Sequence, residues 1–177
     1  NDDFSLSLLT IADGNQEADS HTAVHSRFTS GFFFSQTNTT SLFGLNLSAY
    51  YQYGKNPAGK SVSAYLISLY PKVRLSKKLE LSPGLDYFSG NDAFENNEKD
   101  QAFSNLYGDG HGLYGYMDYF SNIPKDTKGS GLTDIFLRCS FKPSAKTGFE
   151  FTVHNFSLTA NAIDSISIQG SLLKAER

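Results

Sequence analysis

The chain has one cysteine, Cys139, no tryptophan and one methionine in 177 residues. A single thiol supports neither a disulfide framework nor a thiolate metal site. No apolar run approaches the ~18 residues of a membrane-crossing helix. Helix-forming residues are thin beside the abundant serine, asparagine, glycine, tyrosine and phenylalanine. The net charge of −3 comes with no basic stripe, which argues against nucleic acid as a partner. Catalytic signatures are missing as well: there is no G-x-S-x-G, no H-E-x-x-H and no phosphate-cradling glycine loop. His25 and Ser26 are consecutive, so in a strand they point to opposite faces and cannot act together. The expectation is a protein that is not an enzyme and needs no cofactor. The opening stretch "NDDFSLSLL" lacks the basic start and small-residue cleavage site of a signal peptide. A removed leader, or a chain that begins partway through a longer protein, is expected.

What the sequence does contain is alternation. In residues 41–54, "SLFGLNLSAYYQYG", one face reads Phe43, Leu45, Leu47, Ala49, Tyr51 and Tyr53, and the other Gly44, Asn46, Ser48, Tyr50 and Gln52. That is a strand about twice the usual five or six residues. The same period recurs around Phe4–Leu8, Val24–Phe34, Tyr65–Leu75, Leu79–Tyr87, Ile135–Phe141, Phe149–Val153 and "SISIQGSLL" near 165–173. These make about eight strands and no convincing helix. Mean hydropathy, −0.34, is that of a soluble protein. Strands that alternate their faces hide from such averages.

The connections also alternate. Short ones are expected at 35–41, 76–78 and 142–147, and longer or more polar ones at 12–20, 54–60 and 90–130. In an up-and-down meander, this puts short turns at one end of the sheet and long loops at the other, as in an outer-membrane barrel. Phe4, Phe34, Phe43, Phe141 and Phe149 then lie near the short-turn end, facing out, and Tyr51, Tyr53, Tyr65 and Tyr87 near the other. Aromatics at both margins of an aliphatic band are what a bilayer with two interfaces selects. The fold expected is all-β: an antiparallel up-and-down transmembrane β-barrel. Residues 1–177 would form part of a single such domain, with a long external loop at about 90–130.

The stretch from about residue 85 to 156, which contains that loop, carries "LDYFSGND", then "AFSNLYGDGHGLYGYMDYF", then "GLTDIFLRCSFKPS" and "FEFTVHNF". Together these resemble the alginate-export family of Gram-negative outer-membrane barrels, especially its Bacteroidetes members. The matching patterns are Y-x-S-G-x-D (Tyr87, Ser89, Gly90, Asp92), F-D-x-L-Y-G (from Phe103), G-x-x-D-Y-F (Gly115 to Phe120), G-L-x-D-I-x-L (from Gly131) and H-x-F (His154, Phe156). Ser104 departs from the acidic residue usual in the second pattern. The matches cover less than half the chain. The resemblance implies an outer-membrane location, a lipid-bilayer partner, more strands than this chain supplies, and passage of a polar or anionic solute such as a polysaccharide.

The inward faces carry Lys72, Arg74, Glu80, Asp86, Asp134, Arg138, Lys142, Glu150 and His154. Charges of both signs on adjacent strands suit a hydrated lumen and solute pathway. The alternative is a set of ion pairs that brace the wall. The signs roughly cancel, unlike the cationic lumen that suits alginate in the family. In the loop, Asp92, Asp109, His111 and Asp118 match no metal-ligand spacing, so no metal is expected. Tyr107, Tyr114, Tyr116, Tyr119 and neighbouring glycines suit loop anchoring or stacking on sugar rings. Two other functions fit the residues: an adhesion or glycan-binding barrel without conductance, and a soluble all-β carbohydrate-binding domain.

Overall fold

The computed structural model describes residues 4–16, 23–36, 41–105 and 119–163. Seven strands follow one another: β1 (Phe4–Gln16), β2 (Val24–Gln36), β3 (Phe43–Lys55), β4 (Ser61–Arg74), β5 (Leu79–Phe88), β6 (Leu132–Ser144) and β7 (Thr147–Ser157). They form one sheet in chain order, each antiparallel to the next. The single helical element is α1 (Ile123–Asp126), one turn capped by the Asn122 side chain. Among the described residues no helix is long and apolar enough to cross a membrane.

The strands form where β-branched, aromatic and leucine residues alternate with small polar ones, the pattern that fits a pleated surface with two different faces. Directly paired residues share a face, so the register reads each face across the sheet. One row runs Leu6, Phe34, Leu47, Leu69, Leu85 and Ile135 over six strands. The next row towards the long loops runs Leu8, Phe32, Ala49, Ile67 and Tyr87. The opposite face has the row Ser7, Phe33, Ser48, Ser68, Asp86, Asp134 and Phe156. Most of the exposed large apolar side chains belong to the first face, Leu8 at 80 % and Phe151 at 68 % among them. We call it the apolar face and the other the polar face.

Three boundaries differ from the sequence-based expectation. The polar connection expected at 12–20 begins only after Gln16, because Asp13 gains an ion pair with Arg27 across the β1–β2 ladder at 3.4 Å. The turn expected at 142–147 shrinks to residues 145 and 146, since β6 continues through a register shift between Phe141 and Ser144. Seven strands are seen rather than about eight; the stretch expected at 165–173 lies outside the described residues. Among the described residues β1 pairs only with β2 and β7 only with β6, so the sheet has two edges.

The described parts of the connection between β5 and β6, residues 89–105 and 119–131, fold back against the polar face. Phe103 packs edge-on against Phe88, with ring centroids 5.9 Å apart. Around them Val62, Ala64, Ile123 and Leu132 complete the buried cluster, flanked by Tyr50, Leu66 and Phe120. Polar contacts fix the same segment. Gln52, buried on β3, donates to the Ser104 carbonyl (2.7 Å) and accepts from the Ser104 N–H (2.9 Å). Ser89 accepts from the Tyr65 N–H and donates to the Gln101 carbonyl, both at 2.7 Å. Asp100 pairs with Val62 in a single parallel bridge beside β4.

Candidate functional site on the polar face

The polar face holds a ladder of charges whose partners are set by register. Near the short-turn end, Arg74 on β4 and Glu80 on β5 are cross-strand partners, 3.7 Å apart. Arg138 and Glu150 approach to 3.6 Å on β6 and β7, with both side chains more than 40 % exposed. Exposed pairs of this kind contribute about 0–1 kcal/mol. They therefore set the local potential more than they hold the sheet. Lys72 occupies the same face opposite Gly44.

Midway along the strands the chemistry changes. Asp86 and Asp134 are direct partners on β5 and β6, and both are almost wholly buried, at 1 % and 0 %. Asp86 Oδ1 accepts hydroxyl hydrogens from Ser68 and Tyr70, each at 2.5 Å. Asp134 Oδ2 lies 2.8 Å from His154 Nδ1. His154 stacks on Phe156 at 5.4 Å and tilts against Phe136 at 5.1 Å. The Phe136 ring in turn lies over Gly84, where a Cβ would come within 2.1 Å of it. Tyr70 closes the group against Phe136, with ring centroids 5.4 Å apart. One carboxylate oxygen on each aspartate, Asp86 Oδ2 and Asp134 Oδ1, has no hydrogen-bond partner.

Two opposed carboxylates with an orphan oxygen each are costly, since like groups across a ladder repel and buried acceptors lack compensation. Asp86→Asn relieves both penalties. The amide oxygen still accepts from Ser68 and Tyr70, and the like-charge pairing with Asp134 is removed. We expect this variant to raise stability by about 1 kcal/mol, read as a higher denaturant midpoint with unchanged slope. Asp134→Ala, which removes the contact to His154, should lower it. Loss of stability in Asp86→Asn would show that the aspartate's charge is itself required.

Of the residues expected to line a solute pathway, Arg74, Glu80, Arg138 and Glu150 are on the polar face in pairs, and Asp86, Asp134 and His154 form the buried network. Tyr107, Asp109, His111, Tyr114, Tyr116 and Asp118 lie outside the described residues. Asp92 is engaged in structure: its carboxylate accepts from the Asn161 side chain at 2.6 Å and from the Phe94 N–H at 2.9 Å. Among the described residues no group of three or more metal-ligating side chains forms. Three participants were missed at the level of sequence. Tyr70 falls on the polar face of β4, where the alternation alone gives it no partner. Gln52 looks like one more lumen residue, although its partner is fifty-two residues away. The Asp13–Arg27 pair was hidden by ending β1 too early.

No protein-family model matches this chain, and no curated protein matches it in sequence.

Proposed function

We propose that the sheet is the wall of an outer-membrane β-barrel of the alginate-export type, with its apolar face in lipid and its polar face lining a passive channel for a polar or anionic solute. The observation that carries this is the continuous apolar face. Its central rows cross six strands without a charged side chain, Lys55 at the end of β3 being the one charge on this face of those strands, and much of it stays exposed in the folded chain. A soluble protein rarely leaves so large an apolar surface uncovered. Aromatics also sort to its margins. Tyr53 stacks on Phe28 at 5.4 Å and Tyr65 on Tyr87 at 5.7 Å near the long loops, while Phe43, Phe141 and Phe149 lie near the short turns.

The dimensions agree. Phe43 and Tyr51 are eight positions apart on one strand, or ~26 Å at about 3.3 Å per residue. A tilt of ~40° reduces this to ~20 Å along the membrane normal, close to the ~25 Å apolar band of such barrels. Strands of 10 to 14 residues are long enough to cross. Closure of the barrel and its outer-membrane location are part of this proposal. So are further strands from outside the described residues.

The inward β5–β6 connection supports a second reading, in which the barrel is plugged and acts through external contacts alone. Reconstitution into planar bilayers separates the two. A channel gives discrete conductance steps from the wild-type protein; their absence from well-folded, inserted protein rejects transport and leaves the plugged adhesion barrel.

A further inference from the structure

We propose that a cavity at the short-turn end of the polar face binds a phosphate group. The cavity measures about 330 Å³ and lies where the β4–β5 turn meets β6. Arg74, Lys77, Lys78 and Lys142 line it, with Glu80 as the single carboxylate. Sequence order scatters these cations over nearly seventy residues, and the β5–β6 register brings them around one space. Glu80 faces Arg74. The ammonium groups of Lys77, Lys78 and Lys142 have no ion pair among the described residues, so three positive charges remain uncompensated around one concavity.

The space is half open and its three lysines are exposed, so its positive potential draws anions most strongly at low salt. The walls are held by backbone contacts rather than by the charges. The Lys142 N–H donates to the Lys78 carbonyl at 2.8 Å, which fixes the turn against β6. Ser76 Oγ accepts from the N–H groups of Lys78 and Leu79, at 3.2 and 3.1 Å, which leaves its own proton to donate. Ser140 supplies a second hydroxyl at the rim.

The ligand class follows from charge and donor number. A carboxylate brings one charge and two oxygens, and leaves about two positive charges unanswered. A phosphate monoester carries −1.5 to −2 near neutral pH and has three acceptor oxygens. Lysine serves such groups as a point charge that needs no fixed bidentate geometry. The volume is at the small end of the range for ligand pockets, enough for the phosphate and a sugar-sized attachment. This deepens the channel reading by naming an anionic group on the solute, and its transport consequence rests on that reading. Binding itself does not.

The test uses inorganic phosphate and purified detergent-solubilised protein, titrated calorimetrically at low and at physiological salt. Saturable binding is expected. It should weaken at least tenfold in the Lys78→Gln/Lys142→Gln double variant, and by a smaller factor in Lys77→Gln, with unfolding midpoints unchanged in both. Glucuronate should bind at least tenfold more weakly than phosphate. Absence of saturable phosphate binding, equal binding by the double variant, or equal affinity for glucuronate overturns the proposal. Binding without conductance keeps this site and rejects the channel; conductance without binding does the reverse.

Discussion

Leu69→Arg is expected to lose about 2–4 kcal/mol when the protein is folded into lipid vesicles, the penalty for a guanidinium near the bilayer midplane. Leu69 lies midway along β4, between Leu47 and Leu85 in the ladder, and its row contains no charged residue on the six strands it crosses. In water the same substitution at a partly exposed position is worth roughly ±0.5 kcal/mol. The two environments therefore differ in outcome by several times the error of a denaturant titration. A companion change on the polar face, Ser48→Arg, puts the same charge one strand over and one residue out of phase. It should cost much less. Reversible unfolding from vesicles reads both. If Leu69→Arg and Ser48→Arg cost the same, the two faces of the sheet do not meet different solvents.

Gly90→Ala is expected to destabilise the inward β5–β6 connection by about 3 kcal/mol. A Cβ at Gly90 would lie 2.0 Å from the Ser130 carbonyl carbon and 2.2 Å from its oxygen. Both contacts are backbone, so no side chain can rotate away, and overpacking of this kind typically costs 1–3 kcal/mol or somewhat more. The neighbouring segment has little freedom to retreat. Gly131 has a φ of +70°, a left-handed conformation that glycine alone adopts cheaply, and Asn91 N–H is bonded to the Gly129 carbonyl at 2.8 Å. The variant should separate residues 89–91 from 129–131 while leaving the strand ladders intact. Amide exchange would then rise at Asn91 and Phe103 and stay slow within β2 and β3. On the channel reading, conductance rises as well, because the connection that covers the polar face is no longer pinned. Unchanged exchange at Asn91 would show that the close packing at Gly90 does not hold this segment.

The strands were legible because alternation is a local signal. Phe43 to Tyr53 announces its two faces within one element, and the same holds for Leu79–Tyr87 and Ile135–Phe141. Neighbour order followed from the meander, and the sharing of a face from the two-residue alternation. The interior of the site was less legible. Opposing Asp86 and Asp134 needs the exact β5–β6 register, because a shift of one residue would send one carboxylate to the apolar face. The inward turn of the long connection rests on Phe103 meeting Phe88 and on Ile123 meeting Leu132, contacts that no local period encodes. Gln52 shows the same limit: its amide replaces missing backbone partners for Ser104, a role visible only after the chain returns. The end of β1 was misplaced because Asp13, Gly14 and Asn15 read as turn residues; their pairing to β2 outweighs that local preference.

The central claim is that lipid meets one face of this sheet and water the other. A cysteine scan along Phe149 to Val153 on β7, in a Cys139→Ser background, with a fluorophore at each position and the protein in vesicles, tests it most directly. Quenchers on the lipid tails should quench labels at 149, 151 and 153, and water-soluble quenchers those at 150 and 152, with the phase reversing at every residue. Labels that respond alike to both quenchers, or a protein that stays monodisperse in buffer without detergent while no label senses lipid, would contradict it.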